Sequence, residues 1–323
     1  MINKKLNFKR INMPGAYAHM TVVNIAKEVE GLERLEGFPV SAIPAILRNF
    51  KYCELGCVSP DYPYLCVGDS DVAKWADLMH YENTGSTIHK GIEFIRDTLK
   101  GYEQEKAFSW LLGYVAHVVT DVTIHPIVQL KVGDYADNKT AHRRCEMNQD
   151  AYIFQRLNLG GIGISEHLDS GIKMCSVLSD SRKIDPTILS VWQYMLNHSH
   201  SDEFTRNPPN INKWHEKFGD IVDNFGEEGN HLFPLARHVA VDAGLTYPNS
   251  DEIDKQYIEN LVSPEGTKSY DEIFEHAIKN VRKIWNVVAQ GVFSKNENYQ
   301  TVIANWNLDT GKDMNDKFVM WRA

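Results

Sequence analysis

The sequence predicts an all-α fold, with several helices packed into one compact domain. Apolar residues recur at three- and four-residue steps over residues 103–119 and again over residues 273–288. This spacing is typical of helices that bury one face. Few segments alternate apolar and polar residues, and no rhythm of strand, helix and strand occurs. These observations argue against a fold built on a parallel sheet.

Local signals place the remaining elements in order along the chain. Residues 19–35 and 71–79 are expected to be helices, and residues 58–64 a loop because they contain two prolines. The last long helix is expected to begin at Asp271 and to stop at Gly291, since glycine commonly follows a helix. Residues 197–230 are polar and least periodic, so they form either an insertion or a joint. The last thirty residues show little pattern beyond isolated aromatics.

Composition excludes several classes of protein. The chain has 323 residues, of which 43% are hydrophobic and 24% charged, which argues against disorder, collagen and coiled coil. A net charge of −9 leaves no basic footprint, so no stable nucleic-acid partner is expected. The five cysteines are too few and too irregular for a disulfide framework and are expected to be reduced thiols. No membrane span and no apolar secretory signal are expected, which predicts a cytoplasmic protein.

Histidines and carboxylates are spaced as metal ligands are on helices. Residues four apart share a helix face, so His117 lies beside Asp121, and His125 follows one turn later. His142 and Glu146 form a second such pair. Three further candidates come from other segments: His80 at the end of a predicted helix, Asp61 in the proline-bounded loop, and His19 at the start of the first helix. Imidazole and carboxylate without thiolate are the ligands of catalytic zinc, and they also suit manganese or iron.

Each pair alone has a plainer explanation. A single His-x-x-x-Asp pair on an apolar helix is more often a core histidine with a hydrogen-bonded partner, and His142 with Glu146 could be an exposed pair. The two pairs together favour a metal, because a buried Asp121 without a cation would be costly to desolvate.

The order of these motifs resembles the zinc-dependent phospholipase C family. The matching segments are His19, Gly-Cys-Val-Ser-Pro-Asp-Tyr at 56–62, His-Tyr-Glu-Asn-Thr-Gly at 80–85, Gly-Tyr-Val-Ala-His-Val-Val-Thr-Asp at 113–121, and His-Arg-Arg-Cys-Glu at 142–146. That family shares its all-helical fold with the single-strand-specific zinc nucleases. The resemblance covers roughly residues 13–155, and the Asp-Val-Thr-Ile-His-Pro form at 121–126 looks most like bacterial members without a signal peptide.

The resemblance implies a cluster of two or three zinc ions. Asp61, His80, His117 and Asp121 would hold one ion, His125, His142 and Glu146 a second, and His19 with a bridging Asp121 a third. It also implies a division of the chain into an N-terminal extension (1–12), a catalytic helical core (13–196) and a helical completion of the same domain (197–323).

The implied activity is hydrolysis of a phosphodiester by a zinc-activated water, with a phospholipid or a related small phosphodiester as substrate. Asp61 would bind metal and accept the proton of the nucleophilic water. Tyr62 resembles a family position near the lipid headgroup, and Tyr81 is a second candidate for substrate contacts.

Two alternatives stay open at this point. One is a nuclease or nucleotide phosphoesterase with the same metals, which would need aromatics that stack on bases; Trp75, Tyr81 and Tyr114 are the candidates. The other is a helical protein that uses metal only for stability, which would have a closed coordination shell where an enzyme keeps an open position.

Overall fold

The chain folds almost entirely into helices, as its periodicity predicts. The computed structural model describes residues 16–66, 68–157, 171, 174–226 and 248–321, and the predicted extension at residues 1–12 lies outside them. The α-helices are α1 (Ala16–Ala26), α2 (Val29–Glu33), α3 (Ala42–Arg48), α4 (Phe50–Gly56), α5 (Ser70–Tyr81), α6 (Thr84–Thr98), α7 (Gly101–Val132), α8 (Tyr135–Phe154), α9 (Pro186–Ser199), α10 (Ser201–Arg206), α11 (Ile211–Gly226), α12 (Tyr270–Phe293) and α13 (Tyr299–Val302). Short 3₁₀ helices cover Ser59–Leu65, Gln155–Leu157 and Lys255–Tyr257.

Strands in the described part of the chain are short and pair only as local hairpins. β1 (Ser176–Val177) pairs with β2 (Asp180–Ile184), β3 (Leu261–Ser263) with β4 (Gly266–Lys268), and β5 (Trp306–Asn307) with β6 (Lys312–Asp313). All three pairs are antiparallel. The all-α class is confirmed.

Helix α7 is the centre of the fold. Helices α1, α3, α4, α6, α8, α9 and α12 all pack against it. The sequence was expected to contain no segment that could span a membrane. By length and composition alone α7 could do so, because an 18-residue window has a mean hydropathy of 1.4. That window is 100% buried inside the molecule. The apolar sequence is therefore accounted for by the position of α7 in the core.

Two glycines let α4 and α7 touch backbone to backbone. A Cβ atom on Gly56 would lie 2.1 Å from the Trp110 carbonyl oxygen, and one on Gly113 would lie 2.0 Å from the Cys53 carbonyl oxygen. Only glycine fits at such distances. The close contact matters for the site because the 3₁₀ helix that carries Asp61 follows α4 after two residues.

Residues 58–64 are not the loop that was predicted. Ser59–Leu65 is a 3₁₀ helix, with Pro60 in its first turn and Pro63 inside it. Proline is tolerated in a first turn, and Pro63 has no N–H to donate, so this short 3₁₀ helix lacks one backbone hydrogen bond at that position. This turn is wholly buried, so Asp61 is held rigidly.

The predicted helix over residues 19–35 is divided into α1 and α2. The break falls at Glu28, whose φ of −55° and ψ of 125° are not helical. Arg282 of α12 donates to the carbonyl oxygens of Ile25 and Ala26, at 2.6 and 3.2 Å. A distant side chain therefore satisfies the last carbonyls of α1, which the local sequence could not show.

The predicted helix over residues 71–79 is α5, extended by one residue at the start and two at the end, with Asp69 as its N-cap. Helix α12 begins one residue earlier than Asp271 and is capped by Ser269 and Glu272 in a capping box. The prediction that this helix stops at Gly291 is wrong. Gly291 lies inside the helix, against Ile92 and Tyr299.

The polar region after residue 196 is more regular than its sequence suggested. Helices α10 and α11 account for most of residues 201–226, and Ile211, Trp214 and Phe218 form a buried stripe. The last thirty residues also contribute to the core, through the buried Tyr299, Trp306 and Trp321. All five cysteines are buried free thiols.

The contact between α4 and α7 can be tested by one substitution. We expect Gly113→Ala to lower the free energy of unfolding by about 1–3 kcal/mol, because the added methyl group must push two backbones apart. Gly219→Ala in α11 is the matched control, since nothing lies within 4 Å of its Cβ position. The control should be neutral or stabilise by up to ~1 kcal/mol. Urea unfolding of the metal-free proteins measures both, and equal stability of the two variants would contradict the prediction.

Candidate metal centre

Four buried side chains converge at the contact between α5, α7 and the 3₁₀ helix Ser59–Leu65. The Nε2 atoms of His80 and His117 are 3.2 Å apart. Asp61 Oδ1 lies 3.3 Å from His80 Nε2, and Asp121 Oδ2 lies 3.2 Å from His117 Nε2. The two remaining cross distances, from His80 to Asp121 and from His117 to Asp61, are 3.9 and 4.0 Å. We call these four residues the first ligand group.

Hydrogen bonds fix which nitrogen of each imidazole faces this group. His80 Nδ1 lies 2.8 Å from the Ala76 carbonyl oxygen, and His117 Nδ1 lies 2.9 Å from the Cys57 carbonyl oxygen. A carbonyl can only accept, so both Nδ1 atoms carry the proton. In the neutral rings both Nε2 atoms then present lone pairs to each other and to two carboxylates. Such a convergence of acceptors is repulsive unless a proton or a metal ion lies between them.

The dimensions of the first ligand group suit zinc. Tetrahedral zinc with ligands at 2.0–2.1 Å places neighbouring ligand atoms about 3.3 Å apart, which is close to the shorter contacts here. Two carboxylate oxygens of the group, Asp61 Oδ1 and Asp121 Oδ2, are buried and have no hydrogen-bond donor. Asp61 converges with His80 and His117, and Asp121 with His117 and His19, as two groups of possible metal ligands. A cation in each group would satisfy these oxygens, so the residues fit the metal.

The pKa values of His80 and Asp121 are shifted by the charged groups next to them. Burial lowers the pKa of His80, but the neighbouring Asp61 carboxylate outweighs that effect and raises the pKa to about 9. Burial raises the pKa of Asp121, but the neighbouring imidazoles of His117, His125 and His19 outweigh it and hold that pKa well below its usual range. Without metal, a proton on His80 therefore neutralises part of the group, and metal binding must displace it.

A second ligand group lies on the other side of Asp121. Asp121 Oδ1 is 3.2 Å from His19 Nε2 and 3.6 Å from His125 Nε2. Glu146 Oε1 is 3.8 Å from His125 Nε2 and 3.9 Å from His142 Nδ1. The two oxygens of Asp121 thus face different ligand groups, which is the geometry of a bridging carboxylate. His19 also stacks on His117, with ring centroids 4.2 Å apart.

The second ligand group surrounds a small internal cavity of about 20 Å³, lined by His19, Asp121, His125 and Glu146 among others. That volume is enough for one water-sized particle. His125 Nε2 and both ring nitrogens of His19 are buried without a hydrogen-bond partner. His125 Nδ1 donates to the Leu308 carbonyl oxygen at 3.0 Å, and His142 Nε2 donates to the Gly133 carbonyl oxygen at 3.0 Å. The other ring nitrogens, His125 Nε2 and His142 Nδ1, face the carboxylates of the second ligand group.

An open cleft of about 600 Å³ lies beside the second ligand group, lined by residues of α5, α7, α8 and the C-terminal residues 307–310. Tyr135, in its wall, packs edge-on against His142 with ring centroids 5.2 Å apart. Asp309, also in the wall, has Oδ1 4.0 Å from His125 Nδ1. Two residues of the cleft wall, Tyr135 and Asp309, therefore lie next to two histidines of the second ligand group, and none of the eight predicted ligands lines the cleft itself.

The structure brings together all eight residues predicted to bind metal, in the two groups just described; that they bind metal stays a prediction. The two predicted substrate contacts lie apart from each other. Tyr81 lines the cleft, whereas Tyr62 is fully buried and stacks on Phe218 at 4.6 Å. A buried ring in that environment packs the core, so the structure does not place Tyr62 where a substrate could reach it. Asp150, which follows Glu146 by one turn of α8, accepts the Ala18 backbone N–H at 2.9 Å.

Sequence reasoning missed the groups that orient the ligands. Three of the four carbonyl acceptors, those of Cys57, Gly133 and Leu308, are far in sequence from their histidines or outside any helical spacing. Only the contact between His80 and the Ala76 carbonyl could have been predicted from the sequence, because the two residues are one helical turn apart. Tyr64 was also missed; its ring lies 5.7 Å from that of His80, and its hydroxyl donates to Asp77.

Comparison with known proteins gives the family. A family model described as zinc dependent phospholipase C matches residues 18–202, more than half of the chain. The chain belongs to the zinc-dependent phospholipase C family. No curated protein and no solved structure gives a significant match.

Membership in the zinc-dependent phospholipase C family agrees with the two ligand groups. The matched range contains all eight predicted ligands, and the buried His and Asp clusters fit zinc binding. Family membership also supports a metal-dependent, phospholipase-like hydrolase. The elements after residue 202, including the strand pair β5–β6 and the cleft wall at residues 307–310, lie outside the matched range.

The ligand groups predict stoichiometric metal. We expect protein prepared without chelator to contain two or three zinc ions per chain, because the facing acceptors repel one another without a cation. Removal by EDTA should lower the melting temperature, since ligand that binds only the folded state adds to its stability. Metal analysis and thermal unfolding before and after EDTA measure this. Metal-free protein with an unchanged melting temperature would show that the groups do not bind zinc.

The bridging position of Asp121 makes a separate prediction. Asp121→Asn should remove at least one ion, because the amide cannot offer two anionic oxygens to two ligand groups. Asp185→Asn is the matched control: Asp185 is a partly buried carboxylate that pairs with Lys106 at 2.7 Å, far from the ligand groups in the fold. The control should lose stability but keep all its zinc. The bridging role fails if the two variants retain the same zinc content.

Proposed function

We propose that the protein is a metal-dependent phosphodiester hydrolase that cleaves a phospholipid, or a related small phosphodiester, in the manner of a phospholipase C. One observation carries the proposal: the buried Nε2 atoms of His80 and His117 lie 3.2 Å apart, and each lies 3.2–4.0 Å from Asp61 Oδ1 and Asp121 Oδ2. Family membership and the adjoining second ligand group support the same conclusion. A cytoplasmic location is part of the proposal.

Zinc held by these residues would supply a water of lowered pKa and positive charge near the phosphoryl oxygens. The protein groups have distinct tasks around it. His80 and His117 are fixed by their Nδ1 hydrogen bonds, so their Nε2 atoms need no reorganisation to bind metal. Asp121 joins the two ligand groups and keeps them at a fixed separation. Asp61 would offer one oxygen to the metal and would accept a proton from water on the other.

The cleft supports a substrate of moderate size. A volume of about 600 Å³ lies within the range of ligand pockets for small molecules. Tyr81 and Tyr135 offer apolar faces along its wall, and Lys139 offers one positive charge there.

The nuclease alternative receives less support. Of the three aromatic residues considered for base stacking, Trp75 and Tyr114 are buried, at 1% and 0% exposure, and cannot reach a base. Tyr81 alone of these lines the cleft. Asp77, Asp134 and Asp309 in the same wall repel any anionic substrate, and they repel a polyanion more strongly than a single phosphodiester.

A substrate panel tests the proposed function. Zinc-loaded protein is assayed with phosphatidylcholine, other phospholipids, single-stranded nucleic acid and a soluble chromogenic phosphodiester, each with and without EDTA. We expect EDTA-sensitive release of a phosphorylated headgroup or of the chromogenic alcohol. Faster cleavage of nucleic acid would favour the nuclease alternative. Fully metallated protein that cleaves none of these would favour a metal that only stabilises the fold.

Asp61 has a specific predicted role. We expect Asp61→Asn to reduce the rate by roughly 10²- to 10⁴-fold, the range for loss of a general base, while most of the metal stays bound through His80, His117 and Asp121. Asp69→Asn is the matched control, because Asp69 is a more exposed carboxylate that caps α5, and asparagine caps equally well. Rates and zinc content are measured side by side. An Asp61→Asn variant with the wild-type rate and full zinc would remove Asp61 from the mechanism.

A further inference from the structure

The C-terminal residues 303–321, which we call the C-terminal strap, contact two helices that carry ligands. Leu308 is the central residue of this contact and is fully buried. Its backbone N–H donates to the His80 carbonyl oxygen at 3.1 Å, and its carbonyl oxygen accepts from His125 Nδ1 at 3.0 Å. One residue of the C-terminal strap therefore bonds to residues of both the first and the second ligand group.

The bond to His125 decides the chemistry of that imidazole. Because the Leu308 carbonyl can only accept, the His125 proton is on Nδ1 and the lone pair is on Nε2. That Nε2 atom lies 3.6 Å from Asp121 Oδ1 and 3.8 Å from Glu146 Oε1. A ring without this acceptor could rotate or exchange its proton between the two nitrogens, and its Nε2 would no longer be held as a ligand atom.

The C-terminal strap is anchored on α7 next to His125. Pro126 has no N–H for the Val122 carbonyl, so the helical hydrogen-bond ladder is interrupted there. Gly311, at a φ of +64°, packs against this interruption; a Cβ atom on it would lie 2.3 Å from Pro126 Cγ and 2.4 Å from the Val122 carbonyl oxygen. Further along, Trp321 Nε1 donates to the Thr123 carbonyl oxygen at 2.8 Å.

A side chain of the C-terminal strap shapes the turn that presents Leu308. Asn307 Oδ1 accepts from the backbone N–H groups of Asp309 and Thr310, both at 3.0 Å, and the Asn307 carbonyl accepts from Gly311 at 2.9 Å. This turn lies between the contact with His125 and the contact with Pro126. Its geometry therefore couples the packing of Gly311 to the position of the Leu308 carbonyl.

We propose that the C-terminal strap is a positioning element of the metal centre, which holds His125 as a ligand through the Leu308 carbonyl and so sets the zinc affinity of the second ligand group. The inference rests on the proposed metal-dependent function and extends it to residues outside the family match. It predicts that disturbing the C-terminal strap weakens zinc binding more than it weakens the fold.

The first test replaces Gly311. Gly311→Ala forces the C-terminal strap away from α7, and we expect one zinc ion to bind about 10- to 100-fold more weakly, as when an outer hydrogen-bond partner of a ligand is lost. Gly101→Ala is the matched control. Gly101 also has a left-handed backbone, with φ +57°, but nothing lies within 4 Å of its Cβ position. It carries similar backbone strain without moving the C-terminal strap, and its zinc affinity should equal that of wild type.

The second test is milder and applies even if Gly311→Ala does not fold. Asn307→Ala removes two hydrogen bonds from the turn, and Asn296→Ala removes a bond of the same kind, from Asn298 N–H at 3.0 Å, in an exposed turn elsewhere. Zinc is titrated against a chromophoric chelator, and the metal-free proteins are melted in parallel. Weaker binding of one ion by Asn307→Ala alone, at equal metal-free melting temperatures, supports the proposal.

Wild-type affinity in a folded Asn307→Ala variant, together with wild-type affinity in Gly311→Ala if it folds, would overturn the proposal. So would a loss of zinc that is matched by an equal loss in the Asn296→Ala control. Because every readout is zinc binding without substrate, the outcome is separate from the substrate panel. Protein whose zinc affinity depends on the C-terminal strap, but which cleaves no phosphodiester, would refute the proposed function and support this inference.

Discussion

The structure is organised around a convergence of buried acceptor atoms that a proton or a metal ion has to bridge. His80 and His117 turn lone pairs toward each other inside the core, and Asp61 and Asp121 add two carboxylates to the same space. Burying such a set costs several kcal/mol per unpaired charge, whereas a positive ion turns the same contacts into attraction. The surrounding helices therefore serve two needs, which are to exclude water from this set and to prevent its members from moving apart.

A rigid helical scaffold meets both needs. Helix α7 supplies His117, Asp121 and His125 from one face and is surrounded by seven other helices, so its side chains have few alternative positions. The glycine contact between α4 and α7 brings the following 3₁₀ helix close enough for Asp61 to reach the same centre. Close backbone packing is thus directly linked to the geometry of the candidate site.

Backbone carbonyls fix the orientation of most of the histidine side chains in the two ligand groups. Four histidines of the two ligand groups each donate one ring N–H to a carbonyl, and the four carbonyls belong to four different segments of the chain. His19 differs, because both of its ring nitrogens are buried without a hydrogen-bond partner. An imidazole with one nitrogen fixed offers the other in a defined direction, which reduces the reorganisation that metal binding requires.

The sequence by itself determined the helical class, the pairs His117/Asp121 and His142/Glu146, and the resemblance to the family. These features are local: a three- to four-residue period or a four-residue separation sets which side chains share a helix face. The apolar period of α7 and the spacing of its ligands could be read for the same reason, whereas the burial of residues 106–128 on every face could not.

Only the tertiary structure decided which segments meet and how the ligands are aimed. The break between α1 and α2 depends on Arg282, the burial of Tyr62 depends on Phe218, and the orientation of His125 depends on Leu308. In each case the partner is distant in the chain, and a backbone carbonyl such as that of Leu308 is the same in every residue type. Its position is set by packing of the whole chain, so no residue pattern could reveal it.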